Sequence, residues 1–214
     1  KKWYTAMNNY IFDLDGTLID SMGVWDNVGY DFLVKNGIVP PKNLDDIIKE
    51  MSFEESAEFF INSLGLKMTK NEVIAGVTEY VADRYRHDID IKPYVRDFLV
   101  KSKKNGKRMC VLTASEKYYV EPLLKRLNID GFFENVITCS EISMSKSSCE
   151  IYNRAANIMG FKKSETAVFE DALHGVINSK KAGFYTVAVF DFKEKENMEL
   201  IKKTADLYIN SFKD

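Results

Sequence analysis

Two periodicities divide the chain. From about residue 20 to about residue 90 the apolar positions recur at helical spacing and no stretch alternates as a strand would, so this part reads as an all-α insert. Trp25, Val28, Phe32 and Leu33 predict a first helix, halted by Gly37 and the Pro40-Pro41 pair. Ser52 and Glu55 form a capping box ahead of the stripe Phe53, Ala57, Phe60, Ile61 and Leu64, which Gly65 closes. Thr69 and Glu72 repeat the device in front of Val73, Val77, Tyr80 and Val81. These stripes read as core rather than as binding surface.

From Pro93 onward helical stripes alternate with short apolar runs. The pattern predicts helices over 95–104, through Leu123, Leu124 and Leu127, over 150–159, up to Gly183 and near 196–203. Between them lie strands over 109–112, 136–138, 166–169, 185–190 and 207–209. Alternation of this kind makes a parallel sheet with helices on its faces. The expected fold class is therefore α/β: a doubly wound, Rossmann-like core over 1–19 and 92–214, interrupted by the helical insert over 20–91.

One further apolar run, Tyr10-Ile11-Phe12, stops at Asp13-Leu14-Asp15-Gly16-Thr17-Leu18. The period of a strand points Asp13 and Asp15 the same way, and two unpaired carboxylates in a partly desolvated place cost several kcal/mol, of order, unless a cation neutralises them. A divalent metal is the natural candidate. The ordinary alternative is a turn at Asp15-Gly16 with Asp13 as a helix cap.

In doubly wound sheets ligands bind beyond the carboxyl ends of the strands, so what each strand delivers there is informative. The first delivers Asp13 and Asp15. The next delivers Thr113-Ala114-Ser115, a hydroxyl with backbone N–H groups at a helix start, suited to an anion. The third is followed by Lys146, and the fourth ends in Glu170-Asp171, a second acidic pair that completes an oxygen shell of the kind magnesium prefers. Singly, Thr113 could be a helix cap, Lys146 a solvated lysine and Glu170-Asp171 a capping pair. Together, a metal and an anion at one sheet edge are what phosphoryl chemistry requires.

Composition narrows the partners. The 214 residues are 45% hydrophobic and 29% charged, and 30 Lys and Arg against 32 Asp and Glu give a net charge of -2. There is no basic excess to neutralise a row of phosphates, so nucleic acid is not an expected partner. Cys110, Cys139 and Cys149 are an odd number at no zinc-like spacing, two of them in predicted strands, and read as reduced, buried thiols. No apolar stretch approaches the 18 or so residues of a membrane span, and Lys1-Lys2-Trp3-Tyr4-Thr5-Ala6 lacks the apolar core of a signal peptide. A soluble, cytoplasmic protein, monomeric or weakly dimeric, is the expectation.

The motif set resembles the haloacid dehalogenase superfamily and, within it, the β-phosphoglucomutase and phosphoglycolate phosphatase-like branch, whose helical cap is inserted after the first motif. Asp13 to Leu18 resemble the first motif, Thr113 the second, Lys146 the third and Glu170-Asp171 the fourth; Phe169-Glu170-Asp171-Ala172-Leu173-His174-Gly175, with Ala182-Gly183 after it, is specific to that branch. The resemblance implies a magnesium-dependent phosphatase of small phosphorylated metabolites. Asp13 would be the nucleophile that becomes an aspartyl phosphate and Asp15 the acid and base. Mg2+ would be held by the Asp13 carboxylate, the Asp15 backbone carbonyl and Asp171, with Glu170 adjoining, and phosphate oxygens by Thr113, the Ala114 N–H and Lys146. Relatives that dehalogenate usually lack the second Asp, and ion-pumping ATPases carry Thr there.

The alternatives are a sugar phosphomutase and a non-catalytic phospholigand-binding domain. Two departures weaken the mutase: Trp25 stands where those enzymes carry a His, and Glu50 and Phe53 stand where their cap loop has a glycine and an arginine, with Met51 beside them and Lys49 the main cation. Ser147 and Ser148 follow Lys146 where a Pro is common. His174 reads as a helix-start residue and His87 as a surface residue of the insert.

Overall fold

The computed structural model describes residues 6–48 and 51–214. Six strands form one sheet in the order β3-β2-β1-β4-β5-β6. They are β1 (Asn9–Phe12), β2 (Arg108–Thr113), β3 (Asn135–Thr138), β4 (Thr166–Glu170), β5 (Tyr185–Val189) and β6 (Leu207–Ile209). Every neighbouring pair is parallel. The chain steps outward from β1 through β2 to β3, then returns to the other side of β1 for β4, β5 and β6. The strand order reverses between β1 and β4, the place where doubly wound sheets open a crevice for ligands. The chain divides into two compact units, one running up to Asp20 and resuming over Ile89–Asp214, the other Ser21–Asp88.

The Ser21–Asp88 unit is helical, with α1 (Met22–Lys35), α2 (Leu44–Ile48), α3 (Phe53–Asn62) and α4 (Lys70–His87). Both predicted capping boxes form: Ser52 with Glu55 and Thr69 with Glu72 exchange side-chain and backbone hydrogen bonds, each such cap being worth about 1 kcal/mol. Phe32, Leu33, Leu44, Ala57, Phe60, Val73 and Val77 make its core. Four members of the expected stripes lie outside this cluster: Val81, though buried, the partly buried Trp25, and Phe53 and Tyr80. Phe53 is 53% exposed because it is the first residue of α3, and Tyr80 is only half-buried, its hydroxyl donating to Asp31. The short α2, absent from the periodicity, is one turn whose Leu44 alone is buried.

The sheet unit carries α5 (Val95–Lys104), α6 (Lys117–Arg126), α7 (Glu150–Met159), α8 (Leu173–Lys181) and α9 (Met198–Thr204). The central strands β1 and β4 are buried on both faces, which is why they read as apolar runs rather than as alternation. Tyr10 and Phe12 stand on one face with Phe169, Phe98 of α5 and Phe212; Phe12 and Phe169 stack with centroids 4.6 Å apart. Ile11, Cys110, Leu112, Ile137 and Val168 stand on the other, against Ile151, Tyr152 and Ala155 of α7. Helices thus cover both faces.

All three cysteines are free. Cys110 is buried in β2, but Cys139 lies one residue beyond β3 rather than in a strand, and it and Cys149 are only partly buried. Among the described residues no helix is long and apolar enough to cross a membrane.

Candidate active site

The β1–β4 ladder runs one step past β1: the Asp13 N–H donates to the Phe169 carbonyl at 2.9 Å, which sets Asp13 beside Glu170. The chain then turns sharply. The Leu14 carbonyl accepts from the N–H groups of Thr17, Leu18 and Ile19, and Gly16 takes φ +79°, a conformation that favours glycine. Because the strand ends at Phe12, its period no longer governs the two acids. The Asp13 carboxylate meets the β4 acids, whereas Asp15 is held elsewhere, its Oδ2 accepting from the Ser115 hydroxyl at 2.7 Å.

Asp13, Glu170 and Asp171 are all buried, and each offers an oxygen within 4.8 Å of those of the other two. Lys146 reaches in from the loop between β3 and α7 and pairs with Asp13 and, at 2.9 Å, with Glu170. Burial by itself disfavours the ammonium, but the charges of Asp13 and Glu170 override it and hold the Lys146 pKa above the ordinary lysine value. Burial also pushes the Glu170 carboxyl up to about 7, with the Asp13 charge adding to the effect and Lys146 opposing it. Asp171 is raised as well, first by burial and then by the charges of Asp13 and Glu170.

Three buried carboxylates against one ammonium leave two negative charges unbalanced when all are ionised. A divalent cation of the hard, oxygen-seeking kind fits that deficit. The backbone leaves room for the acids: a Cβ on Gly16 would collide with the Asp171 carboxylate, and one on Gly175 with that of Glu170. Asp13, Glu170 and Asp171 are therefore the side chains that could hold a metal ion. The Asp15 carboxylate is not among them.

Several partners of these groups escaped the sequence reading. The Thr17 hydroxyl lies 3.2 Å from Asp13 Oδ2 and 3.0 Å from Asp171 Oδ1, tying the two acids together. Tyr152 of α7 donates its hydroxyl to Glu170 at 2.8 Å, and burial raises the Tyr152 pKa. Asn178 of α8 donates to the Lys146 carbonyl at 2.8 Å, and Ser115 holds Asp15. Thr17 stood inside the first motif without a role. Tyr152 read only as one apolar position of a helical stripe.

At the second strand end, the buried Thr113 hydroxyl accepts the Ser115 N–H at 3.0 Å, so that N–H, expected to be free for an anion, is already taken. Ala114 between them is exposed. After Lys146, where a proline was expected, Ser145 shapes the turn: its hydroxyl accepts the Ser147 N–H at 3.2 Å and its carbonyl the Ser148 N–H at 3.0 Å. His174 and His87 are both exposed, His174 at the start of α8. In the helical unit, the Trp25 indole N–H donates to the Tyr85 hydroxyl at 3.1 Å, and Met51 and Phe53 line an apolar cavity of about 150 Å³. Trp3, Lys49 and Glu50 lie outside the described residues.

Residues 10–189 match the family model for haloacid dehalogenase-like hydrolases. The chain is 26% identical over 193 residues to pyrophosphatase PpaX of Bacillus mycoides, covering 86% of this chain and 83% of the relative. It is 23% identical over 195 residues to hexitol phosphatase B of Escherichia coli, covering 84% and 82% of the two chains. The fold is also that of CbbY from Rhodobacter sphaeroides, solved in complex with phosphate, with a TM-score of 0.77, 18% identity and coverage of 96% and 95%.

Proposed function

The chain belongs to the haloacid dehalogenase-like hydrolase family, and on that premise we propose that it is a magnesium-dependent phosphatase acting on a small phosphorylated metabolite through an aspartyl phosphate on Asp13. The observation that carries the reading is the separation of the two acids of the first motif. Asp13 is buried among Lys146, Thr17 and the β4 carboxylates, while Asp15, two residues on, is held apart by Ser115. A nucleophile and a proton carrier need such different surroundings.

Asp13 attacks phosphorus through a carboxylate oxygen. Lys146 and Thr17 orient that carboxylate, which has acceptor capacity to spare beyond these two donors. As the ester P–O bond breaks, Asp15 in its acid form gives its proton to the leaving oxygen; in the second step the Asp15 carboxylate takes a proton from the water that attacks the aspartyl phosphate. Positioned proton transfer of this kind is worth about 10²–10⁴-fold. Thr113, the Ala114 N–H and Lys146 hold phosphoryl oxygens. Asp13, Asp171 and the Asp15 backbone carbonyl, with Glu170 adjoining, would hold magnesium, which would supply positive charge to offset the carboxylates and the phosphoryl group.

The relatives named as phosphatases support hydrolysis over isomerisation, and so does Trp25, whose one side-chain donor is engaged by Tyr85. The test is release of inorganic phosphate from an aryl phosphate, followed by a panel of phosphorylated metabolites that includes pyrophosphate and hexitol phosphates. Release with magnesium and none with EDTA is expected. Equal rates in the two conditions would overturn the metal-dependent reading.

A further inference from the structure

Lys92 belongs to none of the four motifs, yet its ammonium is spent wholly on the site's framework. Its side chain is 14% exposed, and its three donors go to the Gly16 carbonyl, the Phe190 carbonyl at 2.9 Å and Asp191 Oδ2 at 2.7 Å. Asp191, itself buried, keeps its other oxygen on the Lys193 N–H at 3.0 Å. The backbone of Lys92 is fixed too: its N–H donates to the Leu18 carbonyl at 2.9 Å, beside the antiparallel bridge between Ile19 and Ile91.

The position of these contacts matters. β1 and β5 are not neighbours; β4 lies between them. In joining Gly16, after β1, to Phe190 and Asp191, after β5, Lys92 spans the end of β4, where Asp171 stands. Gly16 lies so close to the Asp171 carboxylate that it has no room for a Cβ, and the next residue, Thr17, bonds both Asp13 and Asp171. We propose that Lys92 is a positioning residue, holding the Gly16 peptide on Asp171 and so fixing the spacing at which Asp13 and Asp171 together take a divalent cation.

The inference rests on the reading of the site as a magnesium-dependent phosphatase. A merely structural Lys92–Asp191 pair predicts something different: its loss would lower the melting temperature and leave metal affinity and turnover of the folded protein unchanged. Lys92→Met keeps an unbranched four-atom stem and removes the ammonium with its donors. Wild type and variant are titrated with magnesium alone, reading the rise in melting temperature, and then assayed on an aryl phosphate at saturating magnesium, well below melting.

The expected result for Lys92→Met is a half-saturating magnesium concentration raised by about tenfold or more and a kcat lowered by about 10–100-fold, the range seen when groups supporting metal ligands are removed. KM should change by less than about threefold, since the three donors of the Lys92 ammonium are all engaged within the chain. Magnesium titration and kcat equal to wild type, with only a lower melting temperature, would overturn the proposal. If Lys92→Met does not fold, Asp191→Asn carries the test, with a rise of about threefold in half-saturating magnesium expected and no rise overturning it. A wild-type protein showing neither a magnesium-dependent melting shift nor phosphate release overturns the phosphatase reading and this role with it. A wild type showing both, beside an unaffected Lys92→Met, overturns the role of Lys92 alone.

Discussion

The Ser115 hydroxyl donates to Asp15 Oδ2 at 2.7 Å, joining residues 100 positions apart. Ser115 is held in turn by its N–H on Thr113, so the end of β2 decides where the Asp15 carboxylate stands. Ser115→Ala should lower kcat by about tenfold on alkyl phosphates and less on aryl phosphates, whose leaving groups need little protonation. Paired kinetics on the two ester classes check this, and an equal loss on both would place Ser115 outside proton transfer.

Asp13→Asn should abolish turnover on every substrate. Asp15→Asn should behave differently with an aryl phosphate, releasing about one equivalent of phenol per site and then stalling, because the first step survives and hydrolysis of the aspartyl phosphate does not. Rapid mixing with phenol detection separates the two variants; steady release by Asp15→Asn would remove the base role from Asp15.

The metal-free protein should lose stability as pH rises. The folded pKa of Glu170, up to about 7 through burial, lies above its ordinary value of 4.5, and Asp171 is shifted in the same direction. A carboxyl that binds its proton more tightly when folded contributes stability that is full below the unfolded pKa and is lost as pH climbs through the folded one. In EDTA, melting at about pH 7.5 should therefore fall below melting at about pH 5, and magnesium should restore more at the higher pH. A magnesium effect independent of pH would contradict this.

Tyr152→Phe removes one of the two side-chain donors on Glu170 and keeps Lys146. With the volume of the ring unchanged, the expected cost is about 1–3 kcal/mol, the penalty for withdrawing a donor from a buried acceptor. Urea denaturation measures it. A loss below about 0.5 kcal/mol would mean that Lys146 alone satisfies Glu170.

Incubation with a hexose 1-phosphate and a trace of the bisphosphate should yield inorganic phosphate and no 6-phosphate isomer. A mutase must grip a second phosphate, and Met51 and Phe53 line an apolar cavity instead. Isomer appearing faster than phosphate would favour the mutase.

Periodicity and punctuation made most of the fold legible. The helices at 95–104 and 150–159 have clear apolar stripes and glycine stops, and they form over Val95–Lys104 and Glu150–Met159. Asp13, Lys146, Glu170 and Asp171 were legible because parallel topology gathers strand ends at one edge. What remained hidden depends on distance in three dimensions. Nothing in sequence joins Tyr152 to Glu170 or Lys92 to Gly16, and Tyr152 in particular looks like any aromatic on a helix's apolar side. The parting of Asp13 from Asp15 went against the sequence reading because that reading carried the strand period past Phe12, where the apolar run and the strand both stop.

Phe12 and Phe169 are partners in register, stacked at 4.6 Å, and each is followed directly by an acid of the site. The footing of Asp13 and Glu170 is thus a single aromatic joint, without an intervening residue to absorb a change in it. An apolar replacement such as Phe169→Leu, which removes the stacked ring, should here leave a folded protein with impaired turnover. Random mutagenesis scored for activity would then find inactivating changes two layers deep, in apolar positions that never meet a substrate.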